Sequence, residues 1–407
     1  KCGKWLIWCM LFGWSTVLYG SPDTLRIVSY NVENLFDNRH DTLKSDLDFT
    51  PEGTHHWTYR RYQAKVERIA QVLTAIGGWY DADIAPATSS PIADTDHTST
   101  SHAPVLVGLC EVENDRCLRS LCWHLRRYRY KYIHYESPDE RGIDVALLYD
   151  STRFHVLHSE PIPVPLPSAP TRDILYVQGA LSPVAIQQPS DTLHLFICHL
   201  PSQFGGTSET EWKRAIAKSV LQSRIDSLLT AFPSANVIVM GDMNSAPAND
   251  LTGMTNLMLP HMQNIFKAEG THKYNGIWAY LDQFYVSPSL THHVSASVFA
   301  PTWLLEEDTK YLGVKPRRTF NGYHYRDAYS DHLPIVLTLT LNHISSFPCT
   351  FAKYVVIYYC PVNFRFVCKK IGRFFCRNRP FVVILYRQTK KLTTMSKITT
   401  FSGQPQY

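Results

Sequence analysis

Six apolar runs of this chain end or begin on a side chain able to do chemistry. Ile27–Tyr30 leads into Asn31, Val105–Cys110 into Glu111, Leu195–Cys198 into His199, and Val237–Gly241 into Asp242, with Asn244 two residues on. Asp282 opens the run Gln283–Val286, and Asp331 and His332 open Pro334–Leu341. One polar residue at a strand end is ordinary, because there the chain meets water. Six such points, all Asp, Glu, Asn or His, are harder to explain that way, since gathering charges in a low-dielectric interior is costly unless they share a partner. A hard divalent cation and a phosphate group would relieve the cost together. The cation takes carboxylate and amide oxygens, and imidazole N–H groups are donors for charge developing on phosphoryl oxygens near neutral pH. Asp242 and Asn244 share one face if the chain there is extended; the plain alternative is an Asp/Asn turn, which Gly241 and Pro247 would also suit. Most of the 18 histidines, among them His55, His56, His292 and His293, have no such setting and read as satisfied structural residues.

Strands must carry these groups. Leu25–Tyr30, Val105–Cys110, Asp144–Tyr149, Leu193–Cys198, Val237–Met240, Gln283–Val286 and Ile335–Leu341 are short, apolar and mostly β-branched, as buried strands are. Tyr59–Ile76 and Glu211–Leu229 carry the 3.6-residue stripe of helices that cover a sheet. Many strands with few helices predict a layered α+β fold rather than an alternating parallel sheet. The 407 residues, 13% aromatic and only 18% charged, suffice for a substantial core and exclude general disorder. Residues 81–103, rich in Ser, Thr, Ala, Pro and Asp, read as a flexible solvated insert, and Pro161–Thr171, with five prolines, as an irregular connection.

The net charge of +5 is unevenly spread. Residues 344–407 hold 11 Lys and Arg and no acid, which leaves 29 basic and 35 acidic residues in 1–343, a net of −6. A body of that sign is not a non-specific polyanion binder; a phosphodiester substrate would need bound metal and a local basic patch. The basic, aromatic tail has no lasting period and reads as an appended segment, the sharper alternative being an arm for nucleic acid or anionic lipid. Lys1 and Lys4 precede an apolar run from Trp5 to Val17 and the small residues Gly20 and Ser21, so residues 1–20 read as a secretory signal. The run is too short to span a bilayer, and the expectation is a secreted or periplasmic protein. None of the ten cysteines forms a Cys-x-x-Cys pair; Cys110 and Cys198 read as core, and Cys117 and Cys122, at helical spacing, as unpaired.

The segments SYNVENLF (Ser29–Phe36), GLCEVEN (Gly108–Asn114), RGIDVALLY (Arg141–Tyr149), CHLPSQFGG (Cys198–Gly206), GDMNSAP (Gly241–Pro247), LDQFYVS (Leu281–Ser287) and SDHLPI (Ser330–Ile335) resemble, in order, the motifs of the endonuclease/exonuclease/phosphatase superfamily, the deoxyribonuclease I-like enzymes. The likeness covers about residues 25–341 and is nearer to exported bacterial members than to the apurinic-site enzymes, which carry other residues at the position of His199. It implies a four-layer αββα sandwich of two packed mixed β-sheets with flanking helices, in a catalytic domain of residues 21–343. It also implies Mg²⁺, with Mn²⁺ or Ca²⁺ as alternatives, held by Asn31, Glu111 and Asp331. Asp242 would orient the attacking water, Asn244 and His199 would bind phosphoryl oxygens, and His332 would be polarised by Asp282. Arg141 would bind a substrate phosphate, and Asp144 would hydrogen-bond His199. Trp278 and Tyr280 are expected to pack rather than to face substrate. The function so implied is hydrolysis of phosphodiesters, nucleic acid first, by a monomer. The alternatives are a phosphomonoesterase or a sphingomyelinase-like lipid phosphodiesterase of the same superfamily.

Overall fold

The computed structural model describes residues 23–82, 103–167, 170–181, 192–259 and 270–341, with residues 383–384 and 398–399 beyond them. The expected signal at 1–20, nearly all of the insert and most of the tail lie outside the described residues. The chain divides into a unit ending at Asn342 and a second from His343 to Tyr407.

In the first unit two six-stranded sheets form. One contains β1 (Asp23–Leu35), β2 (Leu106–Val112), β3 (Tyr130–His134), β4 (Asp144–Asp150), β13 (Val294–Val298) and β18 (Ile335–Leu341), in the order β13-β18-β1-β2-β4-β3. The other contains β5 (Phe154–Ile162), β6 (Ile174–Leu181), β7 (Thr192–His199), β8 (Asn236–Asp242), β9 (Thr255–Asn256) and β12 (Asp282–Val286), in the order β5-β6-β7-β8-β12-β9. Short hairpins join β10 (His272–Tyr274) to β11 (Ile277–Ala279), β14 (Leu305–Glu307) to β15 (Val314–Pro316) and β16 (Phe320–Asn321) to β17 (His324–Tyr325). Both sheets are mixed: β1 and β2 run parallel, as do β7 and β8, and the other pairs are antiparallel.

The period-2 alternation of the strands builds the layers. In β8, Ile238 and Met240 enter the core between the sheets with Leu195, Ile197, Phe284 and Leu337, while Val237 and Val239 turn outward. Helix α3 (Thr207–Ala231) covers that outer face with Ala217, Leu221 and Ile225. On the far side, Val28, Tyr30, Val107 and Leu109 face helices α1 (Tyr59–Ala82) and α2 (Asp115–His124) through Tyr62, Val66, Ile69, Leu118 and Leu121. The four-layer αββα sandwich is therefore present. The sheets approach closely at Gly108, where an added Cβ would stand 3.0 Å from the Met240 sulfur and 3.4 Å from Ile197.

Helix α2 was not among the two predicted. Its start is capped by Asn114, whose side chain accepts from the backbone N–H of Arg116 (2.9 Å) and Cys117 (3.1 Å). Cys110, Cys117, Cys122 and Cys198 all carry free thiols. The proline-rich connection is shorter than its composition indicates, because Pro161 and Ile162 still pair with Leu175 and Ile174 in edge strand β5, where a missing N–H need not cost a ladder bond. In the second unit Val383–Ile384 pairs antiparallel with Ile398–Thr399. Among the described residues no helix is long and apolar enough to cross a membrane.

Candidate functional site

Strand direction gathers the polar tips. The C-terminal parts of the parallel strands β1, β2, β7 and β8 meet the first residue of β12 and the segment just before β18, strands that run the other way. In the second sheet the register sets His199 beside Asp242 and Asp242 beside Asp282, on three adjacent strands. Three backbone irregularities aim the groups. Glu111 has φ 67° at a register shift between Cys110 and Val112, a bulge that turns its carboxylate out of the ladder. Asn244 has φ 47°. Gly241 has φ 140°, and a Cβ there would lie 1.8 Å from the carbonyl oxygen of Cys198, so no other residue fits. Left-handed backbone at non-glycine residues costs about 1–3 kcal/mol and persists where the surroundings hold it.

Asp242 is the hub. Its Oδ2 accepts from Asn31 Nδ2 (3.1 Å) and stands 3.8 Å from His199 Nε2 and 3.7 Å from His332 Nε2. Its Oδ1 accepts from the Asn244 backbone N–H (2.9 Å). Glu111 Oε1 lies 3.4 Å from the same Asn31 amide and 3.9 Å from His199 Nε2, while its Oε2 accepts from Asn34 N–H (2.8 Å). His332 Nδ1 is 2.7 Å from Asp282 Oδ2. Ser330 closes the floor, its hydroxyl donating to the Asn31 carbonyl (2.7 Å) and accepting from His332 N–H (3.1 Å).

Burial and neighbours set the charges. Burial pushes Asp242 up to about 6, partly offset by His332. Burial alone would lower His332, but the carboxylates of Asp282 and Asp242 overcome it and hold the imidazole well above its usual value. His199 goes the other way, driven well down by burial and then by Arg172 and Arg141. Burial opposes ionisation of Asp331 as well, yet Arg318, His332 and His272 bring it down to about 2.

Asn31, Glu111, His199, Asp242, Asn244, Asp282 and His332 thus converge. Three expectations shift in detail. Asp331, expected beside Asn31 and Glu111, accepts from Arg318 Nη2 (2.9 Å), and Arg318 Nε donates to Glu33 (3.1 Å). Asn244 spends a side-chain N–H on the Leu200 carbonyl (2.9 Å). Asp144 does not reach His199: it opens β4, next to edge strand β3, 3.1 Å from His134 Nε2, and accepts from Ser137 N–H at 3.1 Å. His199 Nδ1 has no hydrogen-bond partner among the described residues. Arg141 does face the site, donating to Asn34 Oδ1 (2.6 Å) and lying 4.0 Å from Glu111 Oε2. Trp278 and Tyr280 pack against the hydrophobic cores. The sequence reading missed Asn34, Glu33, Arg172, His272 and Arg318. His272, whose ring centroid is 4.7 Å from that of His332, sits in a three-residue strand with no apolar run to announce it.

The donor set suits a hard cation. Two carboxylates, Glu111 and Asp242, flank one amide, and the imidazoles of His199 and His332 stand 3.8 and 3.7 Å from Asp242. In the structure the Asn31 NH₂ supplies the positive partial charge between them. Carboxylates around an acidic hub, flanked by one charged and one neutral imidazole, are the equipment of a metal-dependent phosphoester hydrolase. The model of the Endonuclease/Exonuclease/phosphatase family matches residues 26–341, and the chain belongs to that family, whose members depend on a divalent metal. A comparison with curated proteins finds no match. Among solved structures the chain is similar to truncated TDP2 of Caenorhabditis elegans (15% identity, 78% of this chain and 98% of that one, TM-score 0.47). It is also similar to an endonuclease/exonuclease/phosphatase family protein of Bacteroides thetaiotaomicron (15%, 79% and 100%, 0.44) and to the mannosyl-6-phosphatase Bt3783 of that organism (16%, 78% and 100%, 0.43). At these values the structural likenesses add nothing to the family match.

Proposed function

We propose that this protein is an exported, Mg²⁺-dependent phosphodiesterase, a nuclease, that hydrolyses its substrate by in-line attack of water on phosphorus without a covalent enzyme intermediate. The reading is carried by the geometry at Asp242, an acidic hub with His199 and His332 at nearly equal distance on its two sides. Glu111, with Asn31 and Asp331, would hold the ion, whose chemistry when bound is to neutralise charge on a non-bridging and the leaving oxygen. Asp242 in its ionised form orients water and takes its proton. His332, kept protonated by Asp282, offers Nε2–H to the phosphoryl group. His199, kept neutral, offers a second donor at Nε2. Arg141, about half exposed at the rim, engages a phosphate, bidentate if both donors turn to it. Asn244 holds Asp242 by its backbone N–H and Leu200 by its side chain.

Export rests on the sequence of residues 1–20, and a monomeric catalytic domain of 21–343 on the extent of the motifs; the tail from 344 lies apart from that reading. The acidic body keeps the phosphomonoesterase and the sphingomyelinase-like reading as rivals. Turnover should be measured with Mg²⁺, Mn²⁺ and Ca²⁺ on duplex and single-stranded DNA, RNA, sphingomyelin and simple phosphomonoesters, with Asp242→Ala and His332→Ala as controls. Strand cleavage lost in both variants is expected. Phosphate release from monoesters with intact DNA would transfer the assignment to the first rival, and turnover surviving in both variants would refute the mechanism.

A further inference from the structure

We infer that the buried ion pair Asp139–Arg172 is a positioning clamp that joins the two halves of the site across the sandwich, an inference whose kinetic readout rests on the phosphoesterase reading above. Arg172 precedes β6 and is 7% exposed; Asp139, in the turn before β4, is 6% exposed. Their contact is 3.0 Å, from Arg172 Nη1 to Asp139 Oδ2. The other guanidinium nitrogens go to backbone: Nε to the His199 carbonyl (3.2 Å) and Nη2 to the Leu200 carbonyl (3.1 Å). The Leu200 carbonyl also receives the Asn244 amide, and Leu200 N–H donates to the Asp242 carbonyl (2.9 Å). One guanidinium therefore fixes the strand end on which His199, Asp242 and Asn244 depend.

Asp139 does the corresponding work for the other sheet. Its Oδ1 accepts from Arg141 N–H (3.0 Å), and its carbonyl from Gly142 N–H (3.1 Å) and Lys44 Nζ (3.0 Å). Arg141 in turn reaches Asn34, whose N–H holds Glu111. The chain of contacts runs from His199 through Arg172, Asp139, Arg141 and Asn34 to Glu111 with hydrogen bonds at each step. A buried ion pair alone is weak support for stability, since apolar replacements often serve as well. What sets this one apart is that Arg172 Nε and Nη2 and Asp139 Oδ1 all bond to the backbone of site-bearing segments. The planar fork of arginine serves three acceptors in fixed directions, which a lysine ammonium on a flexible stem does not.

The test compares Arg172→Lys, Asp139→Asn and their double variant with Leu121→Ala, a truncation in the core beneath α2 that lowers Tm without touching the clamp. Initial rates are taken well below every Tm on bis(p-nitrophenyl) phosphate and DNA. The ¹H–¹³C Cε1 signal of His199 (assigned with His199→Gln) and amide exchange at Leu200 are followed in parallel. Arg172→Lys is expected to lower kcat about 10–100-fold, the cost of losing an outer-shell orienting group, with KM within about twofold. Asp139→Asn is expected to raise KM as the Arg141 turn loosens, and the double variant to fall short of the summed single effects. The His199 signal and Leu200 exchange should move in Arg172→Lys and stay put in Leu121→Ala. Wild-type turnover with an Arg172→Lys variant that loses Tm but keeps kcat, KM and the His199 signal would overturn the clamp and leave the enzymatic reading standing. If the wild type turns over no phosphoester, that reading falls, and the His199 signal and exchange data still decide the clamp.

Discussion

His199 and His332 point Nε2 at the same oxygen of Asp242 from 3.8 and 3.7 Å, yet the two flanks are electrostatic opposites. Behind His332 stands Asp282, 2.7 Å from Nδ1, which fixes the ring and keeps it charged. Behind His199, Nδ1 meets no carboxylate or other hydrogen-bond partner among the described residues, and burial with Arg172 and Arg141 keeps the ring neutral. The difference teaches that distance to the hub does not decide an imidazole's charge. The residue on its far side does.

The most damaging break removes the hub itself. Asp242→Asn or His332→Ala should lower kcat about 10³-fold, in the range seen when a preplaced transition-state group is lost, measured as single-turnover cleavage at saturating metal. Glu111→Gln should abolish the rise in Tm that Mg²⁺ gives the wild type, while the two cores keep the protein folded. A site filled to 100 times its Kd adds about 2.7 kcal/mol, so titrating metal into both proteins in a calorimeter distinguishes them, and an unchanged Tm rise removes Glu111 from the metal site.

Asp282→Asn attacks only the His332 flank. A loss of about 10–100-fold is expected, together with a changed pH profile. Because Asp282 raises the His332 pKa, its removal brings deprotonation, and the alkaline fall in kcat, to lower pH. The sign for stability follows. A histidine whose folded pKa is raised contributes stability in full below its ordinary value of 6.5 and loses it as pH rises through the folded value, so Asp282→Asn should flatten the urea midpoint across that window. His199→Gln, without such a partner, should leave that window unchanged. Arg141→Ala should raise KM about 10-fold, a loss of about 1.4 kcal/mol, with kcat nearly kept.

The smallest effect calibrates the neutral flank. His194, five residues back on β7, is also lowered by burial, with its Nδ1 2.8 Å from the Tyr176 hydroxyl and no part in the site. A lowered histidine gives stability above its unfolded pKa and loses it as pH falls, so the urea midpoint should drop between about pH 7 and 5. His194→Gln should remove part of that drop and leave the pH dependence of kcat untouched.

The sequence made the strand tips legible because each is a polar residue directly after or before an apolar run, and short runs rich in β-branched residues read as buried strands. Asp144 shows the limit. It too borders an apolar strand, but its partner His134 ends β3, whose Tyr-Lys-Tyr-Ile-His alternation at a sheet edge gives little apolar signal. Without β3 the carboxylate had no visible neighbour but the site. Arg172 was hidden for a related reason: it follows a proline-rich run that reads as loop, and its acceptors are backbone carbonyls, which no side-chain pattern reveals.

From residues alone came the kinds of group at each tip, the α+β layering, and the class of chemistry such groups permit, because these depend on local hydrophobic period and on side-chain acidity. Which groups face each other was decided only in three dimensions. Asn31 and Asp242 are 211 positions apart and touch because strand direction, register and the approach of two sheets bring them together. The same register put Asp282 behind one histidine and left the other beside arginines, and that placement, not residue type, divides their charge.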